Sequence, residues 1–227
     1  MQVIDNETRG CAFVRNQLGL RWENDARNMM TNMSRALSRK ELSHARIVDV
    51  ASRAIRRAGY RGVGVADIMK EAGLTHGGFY AHFASRDAMV VEAMEHAGKR
   101  NLVSLAQGME RRLRKGGTRF SALVETYLHD AHMERTEDGC VVAALASEMT
   151  READAVRDEA RRRVAAMVAL VQSSLPEGAN LGQAQLVTAT MVGALQLART
   201  LGGKAGRDIL AQARQALIER HDPTTPH

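Results

Sequence analysis

The chain has 227 residues and 44% apolar content, enough for a buried core divided between one small and one larger domain. Its two cysteines, Cys11 and Cys140, supply neither a disulfide framework nor a thiolate metal site. No apolar run reaches transmembrane length and the N-terminus lacks a signal-peptide core, so a cytoplasmic protein without membrane contact is expected.

The net charge of +6 is focused: residues 35–61 hold eight Lys or Arg against two Asp or Glu, whereas residues 101–227 hold sixteen against fifteen. A basic segment beside a near-neutral remainder points to phosphate binding, with a solvated helix face as the plain alternative. The first thirty or so residues show weak periodicity, and residues 1–40 read as an N-terminal extension, with a flexible arm as one reading. A short docking helix around Leu18–Trp22 and a later start at Met33 both stay open. From Ser43 the pattern sharpens. Ile47, Ala51, Ala54, Ile55 and Ala58 form an apolar helix stripe, with Arg46, Arg53 and Arg57 away from it and Gly59 as its stop. Val65, Ile68, Met69 and Ala72 predict a short second helix. Gly73 then permits a tight turn, and Thr75 is placed to cap a third helix that turns Leu74, Phe79 and Phe83 inward. Ser85 caps a fourth helix carrying Met89, Val90, Ala93, Met94 and Ala97, with Asp87 in its first turn.

Beyond Arg100 the spacing predicts several longer amphipathic helices, interrupted near Gly116-Gly117, Asp138-Gly139, Pro176-Glu177-Gly178 and Gly202-Gly203. One of them, near 152–175, sets Asp158 four residues before Arg162 and Glu159 four before Arg163, charges expected on a solvated face. No segment alternates as a strand does, so the expected fold class is all-α.

Two short helices about a glycine turn, following a basic helix, make a helix-turn-helix pattern. The string is more specific than the pattern. Gly59-Tyr60, Val65-Ala66-Asp67-Ile68, the run from Ala72 to Phe83 (AGLTHGGFYAHF) and Ser85-Arg86-Asp87 closely resemble the DNA-binding domain of TetR/AcrR-family regulators. The resemblance is specific over about residues 43–95 and architectural beyond. It implies a helix-turn-helix DNA-binding domain at 41–86, a helical ligand-binding and dimerisation domain at 87–221, and a tail at 222–227. It places Thr75, His76, Gly77, Gly78, Tyr80, His82 and Arg86 at the family's DNA-contact positions. The glycines allow close backbone approach to DNA, and the hydroxyls and imidazoles offer hydrogen bonds to phosphates or base edges. Gly64 departs from the pattern, because many relatives carry a capping Ser or Thr there.

In the C-terminal part, the helix near 181–201 is apolar on more than one face. By resemblance the last two helices form a homodimer interface, assigned to Val187, Met191, Ala194, Leu195, Ala198, Ile209, Ala213 and Leu217. The resemblance also implies a cavity for an unidentified small-molecule effector, with Phe120, Tyr127 and Cys140 as candidate lining residues. The implied protein is therefore a regulator, expected to be a repressor, that binds a pseudo-palindromic double-stranded operator as a homodimer and is released by its effector. Two alternatives are a thiol-based sensor using Cys140, which opens an apolar helix, and an effector-independent DNA-organising protein. No cofactor is implied. Glu125, His129, His132 and Met133 fall within two helical turns, but their spacing is unspecific and no metal is expected. An enzyme is disfavoured. There is no GxSxG, HExxH, CxxC or P-loop string, and Gly62-Val63-Gly64 is followed by Asp67 with no preceding strand.

Overall fold

The computed structural model describes residues 38–222, and the readings made for residues 1–37 and for the last five residues lie outside the described residues. The chain divides into two units between Leu42 and Ser43, and the site and cavity considered below lie wholly in the second. All regular structure among the described residues is helical, with no strand. In order they form α1 (Arg39–Ala58), α2 (Val65–Glu71), the 3-10 turn η1 (His76–Ala81), α3 (Arg86–Leu113), α4 (Arg119–Tyr127), α5 (Asp130–Glu134), the 3-10 turn η2 (Thr136–Asp138), α6 (Val141–Met149), α7 (Asp154–Ser174), α8 (Leu181–Leu201) and α9 (Gly203–His221).

The local signals act as the spacing predicts at the N-terminal end. Ile47, Ala51, Ala54 and Ile55 of α1 are completely buried, and Gly59 stops the helix at φ +80°. Ile68 and Met69 of α2 are buried too, and Gly73 takes φ +70° in the turn that follows. The Ser85 hydroxyl accepts from the Ala88 amide at 3.1 Å, capping α3. The third helix differs from expectation: it is a six-residue 3-10 turn, not an α-helix. Gly77 and Gly78 at its centre are poor helix formers, and its anchor comes from packing. Phe79 and Phe83 are buried with ring centroids 5.5 Å apart, and His44 of α1 stacks on Phe83 at 4.6 Å.

In the C-terminal part, α8 packs between α9 and α7, and α7 packs in turn against α3. The charges of α7 correct the solvated-face reading. Glu159 is fully buried and makes ion pairs to Arg162 and Arg163 (2.7 and 2.6 Å), so Arg162 is drawn from Asp158, which pairs with Arg161 instead (2.6 Å). A buried carboxylate must be paired, and that demand outweighs an exposed pair.

The dimer assignment also needs correction. Val187, Met191, Ala194, Leu195, Ala198 and Leu217 are buried inside their own chain, while Ile209 and Ala213 are half-buried. Helical period identifies the stripe but not what it meets: α8 packs against α9, α7, α6 and α5 of its own chain. The large apolar residues of α8 that remain at the surface are Leu181, Leu186, Leu197 and Leu201, each more than half exposed. Among the described residues no helix is long and apolar enough to cross a membrane.

Candidate nucleic-acid interface

The α2–η1 turn presents one continuous polar edge. Thr75, His76 and Gly77 are exposed, and Tyr80 is 75% exposed although its ring packs edge-on against Phe79 at 5.2 Å. The Thr75 hydroxyl makes no capping bond. A Cβ built on Gly77 would meet nothing within 4 Å, and neither Gly77 nor Gly78 has positive φ. The fold itself therefore places no demand for glycine at residue 77. An external surface that lies against the backbone would do so. Gly78 is half-buried, with Met69 and Thr75 at ordinary contact distance from such a Cβ.

Two predicted contact residues are turned more toward the protein. His82 is half-buried, 5.9 Å from the His44 ring, and Arg86 donates to the Tyr60 carbonyl. That bond fixes the loop between α1 and α2 and commits one end of the Arg86 guanidinium. At the departure from the family pattern, the Gly64 amide donates to the Asp67 carboxylate at 3.2 Å, the reciprocal half of a capping box, while no side chain at residue 64 caps the first amides of α2. The basic segment is also partly committed inside the molecule. Arg53 pairs with Asp49 (2.7 Å), and Arg57 bridges Glu71 and Glu137 (2.9 and 3.2 Å). Arg56 is buried and donates to the Gly139 carbonyl at 2.9 Å, and burial lowers its guanidinium to about 10, still cationic at neutral pH. Arg46 is exposed and donates to the Ala72 carbonyl at 3.5 Å.

The Arg56 bond belongs to a group of polar links that sequence reasoning missed. The Tyr60 amide donates to Glu148 at 2.9 Å, and Arg61 pairs with Glu152 at 3.4 Å. With Arg57–Glu137, these tie the end of α1 and its loop to one segment, residues 137–152, which contains α6. The Tyr60 phenol is buried against Met94, and burial together with Glu148 keeps it protonated. Partners eighty or more residues away in sequence left no local signal.

The predicted effector residues are core residues. Phe120, Tyr127 and Cys140 are all buried. His132 lies beside Tyr127 and Cys140, bonded through Nδ1 to the Tyr127 carbonyl at 2.6 Å and accepting through Nε2 from the Cys140 amide at 2.9 Å. Both ring nitrogens are thus occupied, and Glu125 pairs with Arg112 at 2.9 Å, so the weighed metal set is not assembled. A groove of about 730 Å³ runs between α6, α7 and α8, walled by Met149, Ala160, Val164, Val168 and Leu181.

Comparison with known proteins agrees with this architecture. Residues 47–93 match the tetR family of bacterial regulatory proteins, and residues 116–217 match the tetracyclin repressor-like C-terminal domain. The HTH-type transcriptional repressor NemR of Escherichia coli (strain K12) is 26% identical over 149 residues, which covers 60% of this chain and 73% of NemR. The crystal structure of reduced E. coli NemR superposes with a TM-score of 0.67 at 18% identity, covering 81% of this chain and 99% of that one. A TetR regulator from Chloroflexus aurantiacus gives 0.66 at 24% identity, covering 81% and 96%. The chain belongs to the TetR family of bacterial transcriptional regulators, which bind DNA and are not enzymes.

Proposed function

We propose that this protein is a cytoplasmic, ligand-responsive repressor that grips a pseudo-palindromic operator as a homodimer and releases it when a small molecule occupies the groove between α6, α7 and α8. The observation that carries this reading is the exposed edge Thr75-His76-Gly77 with Tyr80, where a glycine without internal cause leaves room for a DNA backbone. Leu186, Leu197 and Leu201 support a dimer, since one helix leaving three leucines more than half exposed offers a self-complementary apolar face. A two-fold axis through that face relates two recognition turns and so requires half-sites about one DNA turn apart, roughly 34 Å, or more. The effector reading is favoured over Cys140 sensing because Cys140 is 3% exposed, whereas the groove is open.

The test is selection of bound fragments from the source genome, followed by footprinting. A discrete inverted repeat near a promoter supports the repressor. Indiscriminate recovery would move the reading to a DNA-organising protein. Affinity for the recovered duplex should fall steeply with salt as phosphate contacts release counterions, and a flat response would sink the interface.

A further inference from the structure

The groove is polarised along its length. Arg157 and Arg161 line it near the start of α7, while Gln172 of α7 and Gln185 of α8 line the other end. Arg157 and Gln172 are fifteen residues apart on one helix, roughly 22 Å. The wall between them is aliphatic, with Val164 40% exposed, and Leu181, at the glutamine end, is 52% exposed. An elongated apolar trough with guanidinium groups at one end complements one class of molecule: an unbranched aliphatic chain with an anionic head.

Both arginines have intrahelical partners, Asp154 for Arg157 and Asp158 for Arg161, and Arg157 also donates to the Glu152 carbonyl at 3.2 Å. Exposed pairs three residues apart contribute little and exchange readily for a better acceptor. A ligand carboxylate can take both guanidinium groups in bidentate geometry, while its chain covers the aliphatic floor. We propose that the groove binds a linear acyl carboxylate, its head on Arg157 and Arg161 and its chain along α7 toward Gln172 and Gln185. This rests on the reading of the groove as the effector site.

The test is titration of sodium octanoate, decanoate and dodecanoate into the full-length protein, with dodecanol and dodecyltrimethylammonium as neutral and cationic controls. Operator affinity is followed in parallel by fluorescence anisotropy. Carboxylate affinity should rise about fourfold per added methylene. The double variant Arg157→Gln/Arg161→Gln should bind dodecanoate at least tenfold more weakly while binding dodecanol unchanged. Equal binding of all three head groups, or no loss in the double variant, overturns the proposal. Arginine-dependent dodecanoate binding that leaves operator affinity unchanged upholds the ligand class and refutes the effector reading. Absence of carboxylate binding, in a protein whose Ala165→Trp variant loses operator affinity because the indole fills the groove, refutes the ligand class and leaves the effector reading standing.

Discussion

Gly77 separates the demands of folding from those of binding. Its surroundings would accept a methyl group and its backbone is one that any residue adopts, so Gly77→Ala should leave stability unchanged or raise it by up to about 1 kcal/mol. The same methyl would stand between the turn and DNA. Operator affinity should fall at least tenfold in anisotropy titrations while the melting temperature holds, and an unchanged affinity would show that DNA does not approach here. His132 makes the opposite case, a residue whose contribution is internal. Burial, with help from the Arg199 cation, pulls its imidazole down to about 4 against the opposing bond to the Tyr127 carbonyl. The unfolded chain, near the ordinary value of 6.5, takes up the proton first. Stability should therefore be fully present above pH 6.5 and decline as pH falls toward 4, by about 1.4 kcal/mol per pH unit. Melting curves between pH 7.5 and 5 should show this slope, and His132→Gln, which can still accept from the Cys140 amide, should flatten it. An equal slope in the variant would assign the acid sensitivity to other groups.

At the scale of elements, α8 shows what periodicity reveals and what it leaves open. The 3.6-residue repeat identifies Val187, Met191, Ala194 and Ala198 as one stripe, and they do lie together. Leucine also occurs on another face, and no feature of the sequence says which stripe meets its own chain and which stays at the surface. The same ambiguity hid buried Glu159 among the charges of α7, because burial of a carboxylate is decided by the helix packed over it. The recognition turn was legible because its chemistry is contiguous, running from Ala72 to Phe83. The groove was not, since its wall mixes aliphatic residues with two Arg and two Gln, drawn from three helices with no motif in common. The corrected faces differ in consequence. Leu197→Glu, on the exposed stripe, should weaken dimerisation at least tenfold, about 1.4 kcal/mol, with helicity retained. Leu195→Glu, fully buried, should unfold the chain. Sedimentation velocity with circular dichroism distinguishes the two, and a Leu197→Glu dimer as tight as the parent would place the interface on another face.

Across the whole molecule, α6 borders both the groove and the loop before α2. Ala146 and Met149 line the groove, while Glu148 between them accepts from the Tyr60 amide in the loop that leads to the recognition turn. Gly139 and Glu152, at either end of the same segment, hold Arg56 and Arg61. An occupant that displaces α6 must strain these links together, because a nine-residue helix moves as a unit. A ligand that fits only the displaced arrangement then shifts the population away from the DNA-binding one. Glu148→Ala removes the acceptor and leaves the Tyr60 amide without its partner, a loss of order 1–3 kcal/mol for a partly buried donor. Operator affinity should fall severalfold without any ligand. Ala165→Trp, which fills the groove, should lower it in the parent chain by acting through the same helix. If Glu148 carries the coupling, the double variant should bind the operator no more weakly than the weaker single variant. Fully additive losses in this double-mutant cycle would mean that the groove and the Tyr60 loop act on DNA binding independently. Coupling would then have to run through α3, the other continuous connection from the recognition turn to the C-terminal helices.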